Sequence, residues 1–421
     1  MTPVLRCLIM ATPARTFVRA ATAAVYALTL AGCTVSGPGL QQQSSPAQTN
    51  ESAIPGTASA DLTQPGTSKR ARDPVKVGLL LPLSGEPQTA VLADMMKKAA
   101  ELAITEHDAT HVQLLVKDDK GTPEAAKAAT DELINASTEI ILGPLFSKSV
   151  AAAAPFARAA NVPILAFSTD RQVAGQGTHL LSFLVGPEVQ RVVTYAASRG
   201  KKRYAALIPD DPLGKLTEAS FKDAVAKTSG TIVAIEQYPA QPNGMVEPVQ
   251  RLRDAIRAIE EHGEPVDALF VPGGEDVLVS LGPLLKKEGI DPAKIKLIGT
   301  GGLDYPNAGR DPILIGAWFA GPDPKGWKDF SEKFARAHGH APPRIASLAY
   351  DAASLAIALS AGQRGSRYTT PVLQRQSGFS GVDGTFRLAS DGTTERGLAI
   401  LEVQKLGAVV IDKAPTSLSP S

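Results

Sequence analysis

The chain has 421 residues, in which 43 lysines and arginines nearly balance 42 aspartates and glutamates, so its formal net charge is +1. This balance, with aromatic residues at only 5%, is unlike the basic, aromatic-interleaved surface of a nucleic-acid-binding protein and excludes a strong general attraction to nucleic acid or acidic lipid. Hydrophobic residues at 43% and charged residues at 20% are typical of a globular protein, and the length suffices for two domains.

The first 32 residues show the charged, apolar and small-residue regions of a secretory signal in the usual order. The apolar run from Ala20 to Ala31 follows three arginines and is too short to span a bilayer. We therefore interpret residues 1–32 as a signal peptide that is removed from the mature protein. Met10 is an alternative start to Met1, because it would give the charged region a more typical length.

Cys33 directly follows Ala31 and Gly32, and the stretch LTLAGC resembles the lipobox of bacterial lipoproteins. The resemblance implies that the chain is cut before Cys33 and acylated at the side chain and the new amino group. It also implies the outer membrane more than the inner one, since Thr34 follows instead of an aspartate. The only other cysteine would be removed with the signal, which excludes an internal disulfide and a CxxC metal site. The alternative is an ordinary secretory signal with a chance cysteine.

Residues 34–74 form a polar stretch rich in serine, threonine, glutamine, proline and glycine, with no aromatic residue. Such a segment cannot bury enough apolar surface to offset the entropy lost on ordering. We therefore interpret residues 33–74 as a lipidated cysteine and a flexible linker, whose root-mean-square reach as a coil is roughly 35 Å. The folded body would then be held at a distance from the membrane.

From Val75 onward, short apolar runs alternate with segments of helical periodicity. VKVGLLLPLSG and TEIILGPLFS predict buried parallel strands, and TPEAAKAATDELINAS predicts a helix with Thr122 as its N-cap and Pro123 at its first position. The alternation restarts with a predicted helix at RVVTYAASRG and ends with a predicted strand at LIGAWFAGP. Repeated βαβ units of this kind predict an α/β protein with two doubly wound parallel-sheet modules in tandem.

The body from Val75 to about Asp412 resembles type I periplasmic binding proteins of the leucine-binding class. The segments that carry the resemblance are VGLLLPLSG, NVPILAFSTD, SLAYDAASLAIAL and GVDGTFRLASDGTTERGLAILEV. The resemblance implies two Rossmann-like lobes joined by three crossings, near residues 186–187, 321–324 and 377–381. The implied boundaries are 75–187 and 322–377 for the first lobe, 188–321 and 378–412 for the second, and 413–421 for a disordered tail.

Ligands of open α/β sheets bind outside the carboxyl ends of the strands, where this sequence is rich in small hydroxyl residues. Ser84 follows the first predicted strand and is one candidate. In amino-acid binders of the resembled class, the loops after the third and fourth strands bind the ligand carboxylate, which implies Ser147, Ser168 and Thr169. The alternative is that these three side chains only cap helices. Phe146, beside Ser147, would partly fill the cleft.

In the same class, a carboxylate of the second lobe binds the ligand ammonium. Glu275, Asp276 and Asp304 lie in loops that could supply this group, and Tyr305 could contact the ligand side chain. The implied ligand is a small amino-acid-like molecule. No cofactor is implied.

Catalytic motifs are lacking, since the sequence contains no GxSxG, HExxH or GxxxxGK[ST] pattern. His338 and His340 have no third ligand nearby in sequence and are interpreted as solvated side chains rather than a metal site. We therefore expect a non-catalytic protein.

Two binding functions fit this fold, and fold alone does not choose between them. The segments GPLFSKSVAAAAPFARAANVPILAFSTD and AALIPDD resemble penicillin-binding protein activators, a group of outer-membrane lipoproteins whose leucine-binding-like domain contacts a peptidoglycan synthase. The lipid anchor, the long linker and a crowded cleft favour this function, although the helical repeat domain of the best-known members has no counterpart in this sequence.

The alternative is a lipid-anchored solute-binding protein that delivers branched-chain or other amino acids to the permease of an ABC importer. The fold and the serine- and threonine-containing loops fit it equally well. A sensory or scaffold role is a third possibility. All three place the protein in the periplasm, attached to a membrane through its lipid.

We predict that Cys33→Ser abolishes the incorporation of an alkyne-tagged palmitate into the protein, because the lipobox resemblance implies that the anchoring acyl chains are attached at this residue. Metabolic labelling followed by gel fluorescence measures the incorporation. Cys7→Ser is the matched control and should label normally. A labelled Cys33→Ser protein would contradict the lipidation.

Overall fold

In the computed structural model of the protein, residues 74–239, 242–305, 307–415 and 418 are described. The predicted signal peptide, Cys33 and the linker up to residue 73 therefore lie outside the described residues. None of the described helices is both long enough and apolar enough to cross a membrane.

The first lobe is built around a five-stranded parallel sheet in the order β2-β1-β3-β4-β5. Its β1 strand reads VKVGLLL and has five of its seven residues fully buried in one run, as expected for a parallel strand covered on both faces. The elements in chain order are β1 (Val75–Leu81), α1 (Pro87–Glu106), β2 (Val112–Asp118), α2 (Pro123–Asn135), β3 (Ile140–Leu142), α3 (Ser147–Ala159), β4 (Ile164–Ala166) and β5 (Thr178–Leu180).

The start of α2 follows from the local sequence. Thr122 is in an extended conformation, and its side chain accepts a hydrogen bond from the N–H of Ala125 at 3.3 Å. Pro123 occupies the first helical position, where the missing N–H is not needed. These contacts confirm the predicted cap.

The second lobe starts at α4 and contains most of a seven-stranded sheet in the order β15-β14-β10-β9-β8-β6-β7. Its first elements are α4 (Val185–Ser198), β6 (Arg203–Pro209), α5 (Pro212–Lys227), β7 (Thr231–Tyr238), α6 (Val246–Glu260), β8 (Ala268–Phe270), α7 (Glu275–Lys287), β9 (Lys296–Gly299) and β10 (Trp318–Gly321). β6 to β10 pair in parallel with one another.

Two predicted elements have different bounds in the structure. The helix predicted from Arg191 begins at Val185, because Pro187 is tolerated in the first turn of a helix. The strand predicted at LIGAWFAGP is confined to Trp318–Gly321, because its first four residues form a turn in which the Ala317 N–H donates to the Leu314 carbonyl at 2.9 Å.

The chain then returns to the first lobe through α8 (Pro324–His338), α9 (Ala346–Ser360) and α10 (Thr370–Leu373). The alanine-rich α9 is buried against α1 in the first-lobe core. A small antiparallel sheet follows, made of β11 (Phe379–Gly381), β12 (Gly384–Leu388) and β13 (Thr394–Arg396). β14 (Ala399–Gln404) and β15 (Gly407–Asp412) complete the second-lobe sheet as antiparallel strands.

The third crossing between the lobes lies after β13 rather than at residues 377–381. Phe379 and Phe386 stack at 5.7 Å and belong to the first-lobe core, with Leu388. Leu398 is the first residue after them whose side chain belongs to a second-lobe core, the one that also contains Ile298 of β9 and Ala320 of β10. The sequence-based boundary fails because the apolar side chains of the small sheet have no sequence feature that tells which core they join. The other two crossings lie near residues 183–184 and 322–323.

We predict that Phe221→Ala lowers the free energy of unfolding by about 3–5 kcal/mol, because it removes a fully buried ring. Phe221 stacks on Phe270 at 4.7 Å and meets the edge of Tyr204 at 6.2 Å. Urea denaturation measures the change. Leu406→Ala, at a fully exposed position, should change stability by less than about 0.5 kcal/mol. Equal effects of the two changes would contradict the assigned core.

Candidate functional site

A cavity of about 610 Å³ lies where the two lobes meet, beside the crossings. The loop after β9 and the β14–β15 turn form its second-lobe wall, and the start of α8 and the residue Arg344 form its first-lobe wall. Small-molecule sites commonly have volumes of about 300–1,000 Å³. The polar and aromatic side chains that line it include Glu188, Asp304, Tyr305, Trp327, Lys328 and Arg344.

Glu188 extends from the first turn of α4 to the loop after β9. Its Oε2 accepts a hydrogen bond from the N–H of Gly301 at 2.8 Å. A Cβ atom at position 301 would lie 3.4 Å from this carboxylate, in ordinary van der Waals contact with it. Burial raises the pKa of Glu188 to about 7, although the Gly301 N–H and the positive charge of Arg344 act in the opposite direction.

The same loop is held against the loop after β8. A Cβ atom at Gly302 would lie 2.1 Å from the carbonyl oxygen of Gly273, a distance that real structures do not show. The two backbones can therefore approach this closely only because residue 302 is glycine. This contact fixes the second-lobe wall of the cavity.

The Arg344 guanidinium is held on the first-lobe wall by a buried carboxylate and an aromatic ring. Its Nη2 donates to Oδ1 of the fully buried Asp383 at 2.5 Å, and Ser347 donates to the other oxygen of this carboxylate at 2.7 Å. The guanidinium also lies over the ring of Trp327, 4.7 Å from its centroid. Arg344 is thus positioned, and much of its charge is compensated, before any ligand binds.

Asp304 and Tyr305, both predicted from the sequence, line this cavity. The Asp304 N–H donates to the Gly301 carbonyl at 3.0 Å, which places Asp304 on the same tight turn that binds Glu188. Among the described residues, none forms a hydrogen bond or ion pair with the Asp304 carboxylate or with the exposed Lys328 ammonium.

Five other predicted site residues do not line this cavity. Ser84 is exposed and donates to the carboxylate of Asp118, whereas Ser147 is the half-buried first residue of α3. Ser168 is buried, and its hydroxyl accepts the N–H of Asp170 at 3.1 Å. The remaining two, Thr169 and Glu275, are exposed.

In the described residues, Ser147, Ser168 and Thr169 are not the N-cap residues of the helices that follow them. Phe146, not Ser147, is the N-cap residue of α3, and it makes no side-chain hydrogen bond there. The Ser168–Asp170 bond closes a local turn before a short 3₁₀ helix. Binding of a ligand by Ser84, Ser147, Ser168, Thr169 and Glu275 stays a prediction.

Phe146 lies against the loop after β2. Its side chain is 40% exposed, and a Cβ atom at Gly121 would lie 3.2 Å from its ring. The ring therefore covers the loop after β2, beside Ser147.

Sequence reasoning missed four residues of the cavity: Glu188, Trp327, Lys328 and Arg344. The strand-end rule searches loops after strands, whereas these residues lie on α4, on α8 and just before α9. For Glu188, Trp327 and Lys328 the available signal was their position near two predicted crossings, because groups at crossings lie close to both lobes; for Arg344 the sequence offers no such signal.

The cavity combines charged groups with aromatic rings. Such a lining can hold the polar end of a small molecule by charge and hydrogen bonds and its apolar part by ring contacts. Among the residues that the structure describes, no three His, Cys, Asp or Glu side chains are grouped so as to hold a metal ion.

We predict that Glu188→Gln makes stability less dependent on pH between about 4.5 and 7. In the folded protein the pKa of Glu188 is raised from the ordinary value of 4.5 to about 7. The contribution of Glu188 to the free energy of unfolding is therefore greatest below pH 4.5 and is lost as pH rises to 7. Relative to the original protein, the free energy of unfolding of the variant should therefore rise by about 2–3 kcal/mol between pH 4.5 and pH 7. Glutamine keeps an acceptor for the Gly301 N–H.

Urea denaturation at a series of pH values measures the difference between the two proteins. Asp351, whose pKa burial also raises to about 7, is present in both and cancels, as do the charged groups around Glu188, namely Arg344, Arg396, Asp304 and Lys328. Glu275→Gln, at an exposed carboxylate, is the matched control. Parallel profiles for the original protein and Glu188→Gln would contradict the prediction.

Comparisons with known proteins match the fold and these lobes. The family model of the periplasmic binding proteins matches residues 74–408. A curated relative, the uncharacterised protein RP748 of Rickettsia prowazekii (strain Madrid E), is 21% identical over 238 residues, which is 56% of this chain. The matched region spans 62% of the length of that relative.

Solved structures with the same fold include two ABC transporter components. One is a solute binding protein from Rhodopseudomonas palustris BisB5 in complex with 3,4-dihydroxybenzoic acid, with 22% identity, 81% of this chain and 97% of that chain covered, and a TM-score of 0.56. The other is a substrate-binding protein from Desulfitobacterium hafniense in complex with leucine, with 19% identity, coverages of 80% and 99%, and a TM-score of 0.58. Since the family model covers residues 74–408 of the chain, this protein belongs to the periplasmic binding protein family, with the two-lobed type I fold.

Proposed function

We propose that this protein is a non-catalytic solute-binding protein that captures a small amphipathic molecule between its lobes and delivers it to the permease of an ABC importer. The observation that carries the proposal is the cavity of about 610 Å³ at the crossings, lined by both lobes and by charged and aromatic side chains. The two solved structures described above, both ABC transporter binding proteins, support this function over the activator function that the sequence favoured.

The solute class follows from the lining and from the relatives. One relative binds leucine and another binds a dihydroxybenzoic acid, and both ligands combine a small apolar body with a charged group. The rings of Trp327 and Tyr305 and the charges of Glu188, Asp304 and Arg344 would suit such a molecule. We therefore propose an amino-acid-like solute.

Membership of the family suggests a periplasmic location. We further propose that Cys33 carries the lipid anchor, in the outer membrane more than the inner one, and that the segment before Pro74 acts as a tether. The lipobox resemblance supports this part of the proposal.

Activation of a penicillin-binding protein through contact with a peptidoglycan synthase is the second candidate function. Large apolar side chains lie exposed near the carboxyl ends of the strands in both lobes. They are Val91 and Phe146 in the first lobe, at 57% and 40% exposure, and Leu213, Leu216 and Val279 in the second, at 60%, 59% and 56%. A protein partner that docks at these strand ends would bury such side chains, and a synthase fits them as well as a permease does.

Thermal unfolding against a library of amino acids and aromatic acids tests the proposed function. At 100 times the dissociation constant, a bound solute should stabilise the protein by about 2.7 kcal/mol and raise its melting temperature. Trp327→Ala should weaken binding of that solute at least tenfold, because the ring lines the cavity, and Leu406→Ala should not.

Crosslinking in intact envelopes separates the two candidates. A permease among the crosslinked proteins, together with a stabilising solute, is the expected result. A peptidoglycan synthase without any stabilising solute would overturn solute capture in favour of the activator function.

A further inference from the structure

We propose that the first lobe carries a second binding site, for a phosphate group, at the amino-terminal edge of its parallel sheet, and that Arg364 and Thr138 bind the phosphate there. This site shares no lining residue with the cavity at the crossings. The inference therefore goes beyond solute capture and does not depend on it.

Two cavities meet at the amino-terminal edge of the first-lobe sheet, and they share Arg364 and Arg367. The smaller cavity, of about 350 Å³, is lined by Glu139 and Pro163, which directly precede β3 and β4. The larger cavity, of about 780 Å³, is lined by Val75, the first residue of β1. Both volumes lie within the usual range of small-molecule sites, about 300–1,000 Å³. We call the two cavities together the amino-edge groove.

The loop between α9 and α10 holds Arg364 at the boundary of the two cavities. The carbonyl of Gln363 accepts the N–H of Ser366 at 3.1 Å and that of Arg367 at 3.0 Å. These bonds close a tight turn around Arg364. Gly365 lies inside this turn in the left-handed conformation, with a φ of 82°, which glycine adopts without steric cost. The local sequence thus specifies where Arg364 lies.

The positive charges of the amino-edge groove are not all used by the protein itself. The Arg367 side chain is only 10% exposed, its Nη1 donates to the Ser360 carbonyl at 2.6 Å, and its Nε lies 3.1 Å from the Glu139 carboxylate. Arg364 is exposed, and within the described part of the chain its side chain has no hydrogen bond, ion pair or ring contact. The lining holds two arginines and one carboxylate, so its net charge is positive, and His111 can only add to it.

Compensation of helix ends explains the other cations at this edge but not Arg364. α2, α3 and α9 end here, and the carbonyl end of a helix carries partial negative charge. Lys76 donates to the Ala136 carbonyl after α2 at 2.9 Å, and Arg367 donates to the Ser360 carbonyl at the end of α9. Among the described residues, Arg364 contacts no such carbonyl, so its charge is available to a ligand.

A buried hydroxyl is the second, independent observation that points to a ligand. Thr138 follows α2, lines the smaller cavity and is 4% exposed. Its Oγ1 has no hydrogen-bond partner among the residues that the structure describes. Buried hydroxyls are nearly always hydrogen-bonded, because an unpaired one has lost the hydrogen bonds that it makes in water. A phosphate oxygen in the cavity would accept a hydrogen bond from this hydroxyl.

A phosphate group matches these donors better than a carboxylate does. An unpaired guanidinium binds phosphate oxygens through two parallel N–H groups. Arg364 lies on the α9–α10 loop and Thr138 lies after α2, so the two donors belong to different elements around one cavity. The tetrahedral oxygens of phosphate can accept from both, whereas the two oxygens of a carboxylate lie in one plane. A cation is disfavoured by the net positive charge of the lining.

Isothermal titration calorimetry of the full chain with inorganic phosphate tests the site, at constant ionic strength and about pH 8, where phosphate carries two charges. Dihexanoyl phosphatidylglycerol, a soluble lipid with a phosphate headgroup, is the second probe and separates a lipid source from a free one. We expect at least one of the two phosphate probes to bind and acetate not to bind. Binding of neither phosphate probe, or equal binding of acetate, would overturn the inference.

Three substitutions assign the binding to the amino-edge groove. Arg364→Ala and Thr138→Val should each weaken phosphate binding about tenfold, as expected for the loss of a hydrogen bond to a charged group. Glu139→Gln should tighten it about threefold, because it removes the carboxylate of the lining and frees Arg367. The opposite direction of this change distinguishes a phosphate site from a loss of folding.

Arg257→Ala is the matched control. Arg257 is also exposed and has no ion-pair partner in the part of the chain that is described, but it lies on α6 in the second lobe. This variant should bind phosphate like the original protein. Unchanged binding in Arg364→Ala, or equal weakening in Arg257→Ala, would overturn the inference, and thermal unfolding of each variant verifies that it is folded.

Discussion

A group of buried charges at the crossings determines how the rest of the site is arranged. Asp351 and Asp383 are fully buried, and buried carboxylates are stable only with partners. Asp383 accepts hydrogen bonds from Arg344 and Ser347. Asp351 accepts the N–H of Val382 at 2.7 Å and lies 3.9 Å from Arg396. Because Arg344 lies over Trp327 and Arg396 lies over Phe183, these partners also fix two aromatic walls of the cavity.

The alternating elements of both lobes were predictable because each is specified by local sequence. A continuous apolar run gives β1, and Thr122 with Pro123 gives the start of α2, without help from distant residues. The third crossing was not predictable in the same way. Whether Phe386 joins the first or the second core is decided by which surface lies opposite it, and no neighbour in sequence carries that information.

The residues of the candidate site also fall into two groups, those that the local sequence specifies and those that long-range contacts bring together. Asp304 and Tyr305 were found because the loop after a parallel strand must lie at the carboxyl edge of the sheet. Glu188 and Arg344 come together with them only through long-range contacts, to Gly301 and to Asp383. Ser84 and Ser168 were predicted by the same rule but do not line the cavity. Each hydroxyl already has a hydrogen-bond partner within the protein, Asp118 for Ser84 and the Asp170 N–H for Ser168.

The backbone contact between Gly302 and Gly273 has a consequence for how tightly a solute is held. Two strand-end loops that touch through their backbones lose their independent motion when the protein folds. Little conformational entropy then remains to be lost on that wall when a solute arrives, so the wall is preorganised. Improvements in affinity at a preorganised wall would be expressed mainly as slower dissociation, which links a missing side chain at one position to the residence time of the solute.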